Sequence, residues 1–203
     1  MSDWKSRTYT KVVLESHPQG KVSDDNFRVV ADAMPEIRAD HVLVEVQYLS
    51  IDAFIRTTLD GGGFHQSAKL GGVVPALGVG IVRESMASGF SPGDIVTGPM
   101  YSQTHALLPA PAVAKVPDLG LPLTAHLGAL SIATGLTSYV GMKCVAQIGP
   151  DDTVVVSGAA GAVGSLAGQV ARLLGARRVI GIAGGAEKCR FVVDELGFDA
   201  AVD

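Results

Sequence analysis

The sequence predicts an α/β plus β fold, in which an antiparallel β-barrel is followed by an incomplete parallel α/β sheet. Three observations predict it. Residues 9–116 contain many short strand-like runs, residues 121–147 change to helical spacing, and the rest alternates strand and helix. Many short strands between glycine and proline turns are typical of an antiparallel barrel. Regular alternation of strands and helices is typical of a parallel sheet with helical crossovers.

Composition excludes several classes of protein. The chain has 203 residues, 47% of them hydrophobic and 18% charged, with a net charge of −4, so it is long enough for one large or two small domains with packed cores. The sequence contains no basic cluster of the kind that binds nucleic acid. No apolar run approaches the roughly 20 residues that a membrane helix needs. Two cysteines, and an N-terminus without the apolar core of a signal peptide, favour a cytoplasmic protein.

The first part of the chain is predicted to be all β. Within residues 41–50, valine recurs at 42, 44 and 46, which is the two-residue period of a half-buried strand. Turns such as Ser-Pro-Gly-Asp at 91–94 separate the strands. The predicted strands are 9–14, 27–31, 41–50, 79–84, 94–97 and 105–108.

A helical connector follows. Its first helix is predicted from the spacing of four residues on one helix face, and a second helix is predicted from 134 or 135 to about 147. Gly149 and Pro150 then break the pattern. We therefore divide the chain into a β domain over 1–120 and a second domain over 121–203. The four spaced residues are Leu123, His126, Leu127 and Leu130.

A glycine turn opens the α/β part. A β-branched run at 153–156 leads into glycines at 158, 161 and 164, and residues 165–174 follow with the pattern of a helix. Strand, glycine turn and helix together hold a phosphate, because the first N–H groups of the helix are unpaired and carry a partial positive charge. Glycine lets the backbone approach the anion closely. The turn predicts a dinucleotide site; the alternative is a parallel α/β domain without nucleotide.

The elements after this turn complete a β-α-β-α-β order. A strand over 178–183, a helix over 186–196 and a third strand beginning at 198 follow in sequence. This order is the first half of a dinucleotide-binding fold. We therefore expect a truncated chain, whose exposed sheet edge lowers its solubility.

The residues after the second α/β strand favour NADP over NAD. An NAD site usually places an Asp or Glu about 20 residues past the glycines, where it binds the ribose 2′-hydroxyl, whereas residues 183–186 read Ala-Gly-Gly-Ala. Without that carboxylate a 2′-phosphate is not repelled, and Lys188 adds attraction. The alternative is that Lys188 is an ordinary solvated helix residue and that Glu187 turns inward.

No metal or hydrolase site is expected. The chain has no cysteine before Cys144 and its histidines are dispersed, so the ligand clusters of zinc sites are missing. The G-x-S-x-G nucleophile elbow is missing as well. The five histidines are His17, His41, His65, His105 and His126.

Five stretches carry a family resemblance: YLSIDAFIR at 48–56, GDIVTG at 93–98, TGLTSY at 134–139, SGAAGAVG at 157–164 and IAGGAEKC at 182–189. They resemble the zinc-independent branch of the medium-chain dehydrogenase/reductase superfamily, which contains prostaglandin reductases, leukotriene B4 dehydrogenases and alkenal double-bond reductases. The resemblance covers nearly the whole chain. It implies a GroES-like barrel for the first domain and the N-terminal half of a Rossmann fold for the second.

The resemblance implies an NADPH-dependent oxidoreductase that reduces the carbon–carbon double bond of α,β-unsaturated ketones or aldehydes. Hydride would reach the β-carbon, and hydrogen bonds to the carbonyl oxygen would stabilise the resulting enolate. The implied partners are small molecules, neither nucleic acid nor membrane, and full-length relatives are usually homodimeric. Two alternatives stay open: an NADPH quinone oxidoreductase, and a truncated, non-catalytic fragment that at most binds nucleotide.

The resemblance also implies site residues, but no catalytic acid. Lys188 matches the family's 2′-phosphate lysine and Thr137 a residue beside the cofactor, while Phe54 and Arg56 match a loop that lines the substrate cleft. Simpler interpretations remain: Thr137 bonds its own helix backbone, Phe54 belongs to the core, and Arg56 is a solvated charge. The pyrophosphate turn is assigned to Gly161, Ala162, Val163 and Gly164.

Overall fold

The computed structural model describes residues 8–60 and 67–203. Within it the chain divides into two units, Met1–His126 and Leu127–Asp203. The strands of the first unit are β1 Thr8–Leu14, β2 Phe27–Ala33, β3 His41–Ser50, β4 Leu77–Ser85, β5 Ile95–Gly98, β6 His105–Pro109 and β7 Ala114–Lys115. All six predicted strands are present, and β7 is an addition.

The first unit is antiparallel throughout its described strands. Strands β6, β3, β4, β5 and β7 form one sheet in that order, while β1 and β2 pair as a two-stranded sheet. Backbone bonds join β1 to the segment just before β6: Val12 N–H donates to the Ser102 carbonyl at 2.8 Å, and Thr104 N–H to the Thr10 carbonyl at 2.8 Å. The predicted antiparallel β structure is therefore confirmed.

The first half of β3 is buried on both of its faces. Val42 and Val44 belong to the main core of the unit, yet Leu43 between them is also fully buried. The pairing of β3 with β4 shifts register between Leu43 and Val44, and such an irregularity locally breaks strict alternation. A two-residue period therefore describes only part of this strand.

A short helix, α1 Ala53–Leu59, follows β3. Ile55 and Leu59, one turn apart, pack in a second small core with Leu14. The helix positions Phe54 and Arg56, two of the predicted site residues.

The connector differs in part from its prediction. Leu123–His126 forms only a 3₁₀ turn, and Leu127 and Leu130 lie in the turn that follows rather than in a helix. Gly128 lies between them, and glycine disfavours helix continuation. The second predicted helix is present as α2 Thr137–Val140, flanked by the π-helical turns Ile132–Leu136 and Gly141–Val145.

The second unit contains the predicted parallel sheet. Its strands, in the order β10, β9, β8, pair only in parallel, which confirms the β-α-β-α-β expectation. Val179 and Val192 are fully buried in its core. None of the helices in the described ranges is both long and apolar enough to span a membrane. The elements are β8 Thr153–Ser157, α3 Ala162–Leu173, β9 Arg178–Ile182, α4 Ala186–Arg190 with the π-helical turn Phe191–Glu195, and β10 Ala200–Val202.

Candidate functional site

The three parallel strands end side by side. Ser157 of β8 pairs with Ile182 of β9, and Val202 of β10 pairs with the same Ile182. The segments that follow the strands therefore emerge at one edge of the sheet. Ligands of open parallel sheets bind outside the carboxyl ends of the strands, so this edge is the candidate cofactor site of the second unit.

The glycine turn after β8 is shaped by close backbone approach. Gly158 has a φ of +58°, a conformation that favours glycine. A Cβ at Gly164 would overlap the Gly158 carbonyl oxygen and lie 3.0 Å from the Ala159 Cα. Only a residue without a side chain therefore fits at Gly164 while the turn keeps its form.

The first N–H groups of α3 are available to a ligand. Gly161 is the N-cap and contributes no side chain, and the first amide of the helix with a backbone partner is Ser165, which donates to the Gly161 carbonyl at 2.9 Å. The amides of Ala162, Val163 and Gly164 have no acceptor in the described part of the chain. Three free donors and the positive end of a 12-residue helix suit an anion.

The second turn at this edge, after β9, leads to Lys188. Gly185 has a φ of +84° and is the N-cap of α4, and Lys188 lies exposed in that helix. Among residues 8–60 and 67–203, the Lys188 ammonium has no ion-pair partner. Lys188 is therefore free to bind an anionic group.

Sequence reasoning missed a carboxylate at this turn. Asp203, directly after β10, accepts a hydrogen bond from the Gly185 N–H at 2.8 Å. The sequence could have indicated Asp203, because it directly follows the predicted third strand and the carboxyl ends of parallel strands lie at the same edge of the sheet. The turn lacks a carboxylate in its own sequence but receives one from the neighbouring strand.

Thr137 and Ser138 begin α2. The exposed Thr137 hydroxyl donates to the Ile132 carbonyl at 3.1 Å, which is the backbone-bonding alternative; its lone pairs remain able to accept a bond. Ser138 is only 2% exposed, and its hydroxyl lies 2.8 Å from the Thr134 carbonyl and 3.0 Å from the Val163 carbonyl. Ser138 thus links α2 to the first turn of α3, a role the sequence did not indicate.

Phe54 and Arg56 lie on α1 in the first unit. Arg56 forms an ion pair with Asp60, one helical turn away, and donates to the Gly20 carbonyl at 2.9 Å. It is therefore anchored rather than simply solvated. The side chain of Phe54 is half-buried, and its carbonyl accepts from the Thr57 hydroxyl at 2.7 Å.

The entry to α1 contains an unusual carboxylate. Asp52 is the N-cap, and one of its oxygens accepts from the Ser50 hydroxyl at 3.0 Å. Its other oxygen, Oδ2, is buried and has no hydrogen-bond partner within the described residues. This oxygen can therefore still accept a hydrogen bond, and it lies at the start of the helix that carries the candidate cleft residues.

The histidines form no metal site in the described ranges, which contain no group of three or more metal-binding side chains. His17 bonds the Leu59 carbonyl at 2.7 Å and His41 the Ala39 carbonyl at 2.8 Å. Burial lowers the pKa of His105, against the opposing effect of Glu45. His65 lies outside the described residues.

Comparison with known proteins gives a family match over the first unit. A family model described as the N-terminal domain of oxidoreductase matches residues 10–116. The putative NADP-dependent oxidoreductase YfmJ of Bacillus subtilis is 37% identical over 196 residues, which are 95% of this chain and 56% of that protein. Prostaglandin reductase 1 of Mus musculus is 34% identical over 191 residues, 93% of this chain and 55% of that protein.

A solved structure extends the likeness to both units. The crystal structure of CurA from Vibrio vulnificus in complex with NADPH has a TM-score of 0.84 and 31% identity, with 96% of this chain and 57% of that chain covered. The chain therefore spans a little over half the length of the relatives it matches.

Proposed function

Because the chain belongs to the zinc-independent branch of the medium-chain dehydrogenase/reductase superfamily, we propose that it binds NADP(H) and reduces the carbon–carbon double bond of an α,β-unsaturated ketone or aldehyde. The observation that carries the proposal is the glycine turn after β8. Its three amides at the start of α3, those of Ala162, Val163 and Gly164, have no acceptor within the described residues, and the N-cap Gly161 has no side chain to occupy them.

The residues at this edge fit a dinucleotide. Diphosphate oxygens are hydrogen-bond acceptors, and the free amides at the start of α3 are hydrogen-bond donors that can bind them. The absence of a Cβ at Gly164 keeps the turn tight enough for the helix to begin directly behind it. Bound there, the cofactor supplies the hydride, and the protein supplies binding and orientation.

The preference for the phosphorylated cofactor rests on Lys188. A lysine ammonium attracts a 2′-phosphate but gains little from the 2′-hydroxyl of NADH. The relatives named above as NADP-dependent or bound to NADPH agree with this preference. We assign Thr137 a place beside the cofactor through the unused lone pairs of its hydroxyl.

The cleft residues of the first unit take supporting roles. Phe54 offers an apolar surface to the hydrocarbon part of an enone. Arg56, fixed by Asp60 and the Gly20 carbonyl, holds α1 in place and retains further N–H donors for a carbonyl oxygen. A donor aimed at that oxygen stabilises the enolate as its charge develops.

Lys188→Ala tests the cofactor assignment. We expect the variant to bind NADPH at least about tenfold more weakly, because one charge-assisted contact contributes roughly 1.5–3 kcal/mol, and to bind NADH almost unchanged. Arg177→Ala is the matched control, since it also removes one exposed cation but precedes β9, at the amino ends of the strands. Isothermal titration calorimetry with both nucleotides gives the readout, and equal weakening of NADPH and NADH would contradict the assignment.

Turnover assays test the reaction. NADPH oxidation in the presence of an enal or enone supports double-bond reduction, whereas oxidation with a quinone alone identifies a quinone oxidoreductase. NADPH binding without turnover of either substrate identifies a nucleotide-binding module.

A further inference from the structure

A carboxylate contacts the turn after β9, and a lysine follows the same turn in α4. Asp203 Oδ1 accepts from the Gly185 N–H at 2.8 Å, and Lys188 lies three residues beyond Gly185, in the first turns of α4. Both side chains are exposed. Within the described residues neither takes part in an ion pair, so each is available to interact with a ligand at this turn.

We propose that Asp203 is a specificity-determining residue of the cofactor site, whose charge opposes Lys188 in the choice between NADPH and NADH. This inference rests on the proposed nucleotide binding. The carboxylate that dehydrogenases of the NAD type place after the second strand is absent from residues 183–186, but the third strand delivers one to the same turn through space.

The chemistry of the two nucleotides separates them at this point. A 2′-phosphate is dianionic or nearly so at neutral pH, and a nearby carboxylate repels it. A ribose 2′-hydroxyl is a donor, and the same carboxylate accepts its hydrogen bond. Asp203 therefore weakens NADPH binding and supports NADH binding, whereas Lys188 strengthens NADPH binding.

A purely structural role for Asp203 makes a different prediction. If the side chain only caps the turn through the Gly185 amide, its charge is irrelevant and only its acceptor oxygen counts. Asp203→Asn separates the two roles, because an asparagine Oδ1 still accepts from the Gly185 N–H whereas the charge is gone. Asp203→Glu retains the charge on a longer side chain.

The test measures the dissociation constants of the chain for NADPH and NADH by calorimetry at low ionic strength. For Asp203→Asn we expect NADPH binding to tighten by about threefold to tenfold, the size of a screened surface interaction between like charges, with NADH binding equal or weaker. Asp203→Glu is expected to keep the wild-type ratio. Asp151→Asn, an equal charge change in the turn before β8 at the opposite edge of the sheet, is the control and leaves both constants unchanged.

The outcomes separate this inference from the function on which it rests. A wild-type chain that binds neither nucleotide overturns both. A wild-type chain that binds NADPH, together with an Asp203→Asn variant whose ratio of NADPH to NADH affinity is unchanged, overturns the role of Asp203 alone. A shift in that ratio with Asp203→Asn, and none with Asp151→Asn or Asp203→Glu, supports it.

Discussion

At the scale of single residues, the glycines of the glycine turn after β8 have different structural roles. Gly164 faces the Gly158 carbonyl so closely that a Cβ would overlap it, whereas at Gly161 a Cβ would lie 3.1 Å from the same oxygen. Close packing of the helix on its own turn is therefore concentrated at Gly164. Changes there disturb both the fold of the turn and the amides that it presents.

Gly164→Ala is expected to lower both stability and nucleotide affinity. Overpacking at a tight contact costs about 1–3 kcal/mol of unfolding free energy, and displacement of the helix start moves the amides of Ala162 and Val163 away from the diphosphate. Urea denaturation and calorimetry with NADPH measure the two effects. Gly141→Ala is the matched control: a Cβ at Gly141 meets nothing within 4 Å, so this variant should be neutral or more stable by up to about 1 kcal/mol.

Some of these residues could be found from the sequence and some could not. The turn glycines and Lys188 stand at a fixed spacing from a strand, so a local pattern indicates them. Ser138 and Asp203 act through contacts with residues 25 and 18 positions away, Val163 and Gly185. No local period encodes such contacts, because they depend on how helices and strands pack.

At the scale of elements, the distinctness of the local pattern decided how well the sequence predicted each segment. The strand β8 was predicted from its β-branched run directly before the glycine turn, and the helix α3 from a helical pattern over most of its 12 residues. The helix α1 has seven residues and a single apolar pair one turn apart, Ile55 and Leu59. Such a pair is too short a pattern to distinguish a helix from a loop.

The packing of α3 on its neighbours depends on a small residue within the helix. A Cβ at Gly168 would overlap the ring of Phe198, which lies just before β10 and is 4% exposed. Glycine disfavours helix interiors by about 1 kcal/mol relative to alanine. Glycine is nevertheless present at position 168 because the Phe198 ring occupies the space that a Cβ would need.

Gly168→Ala is therefore expected to destabilise the second unit by about 1–3 kcal/mol despite the better helix propensity of alanine. In the background of Phe198→Leu, where the ring is gone, the same change should cost less. A double-mutant cycle from chemical denaturation of the four proteins measures this coupling. Equal costs of Gly168→Ala in both backgrounds would show that the ring does not set the requirement for glycine.

At the scale of the whole molecule, each unit has its own core. The core of the second unit uses only residues from 154 to 198 among its buried members, and the two cores of the first unit use residues from 14 to 113. Because each core comes from one continuous part of the chain, the order of fold types could be predicted. The pairing of β1 with residues 102–104 could not, since it joins segments about 90 positions apart.

Separate cores predict a local response to the cofactor. A ligand present at 100 times its dissociation constant stabilises the state that binds it by about 2.7 kcal/mol. We expect NADPH to slow amide hydrogen exchange in β8, α3 and β9, and to leave exchange in the buried strands β3 and β4 unchanged. Mass spectrometry of peptides from the exchanged protein measures both, with Gly164→Ala as a control whose weaker binding should reduce the protection. Equal slowing in β3 and β4 would mean that the two units open as one cooperative body.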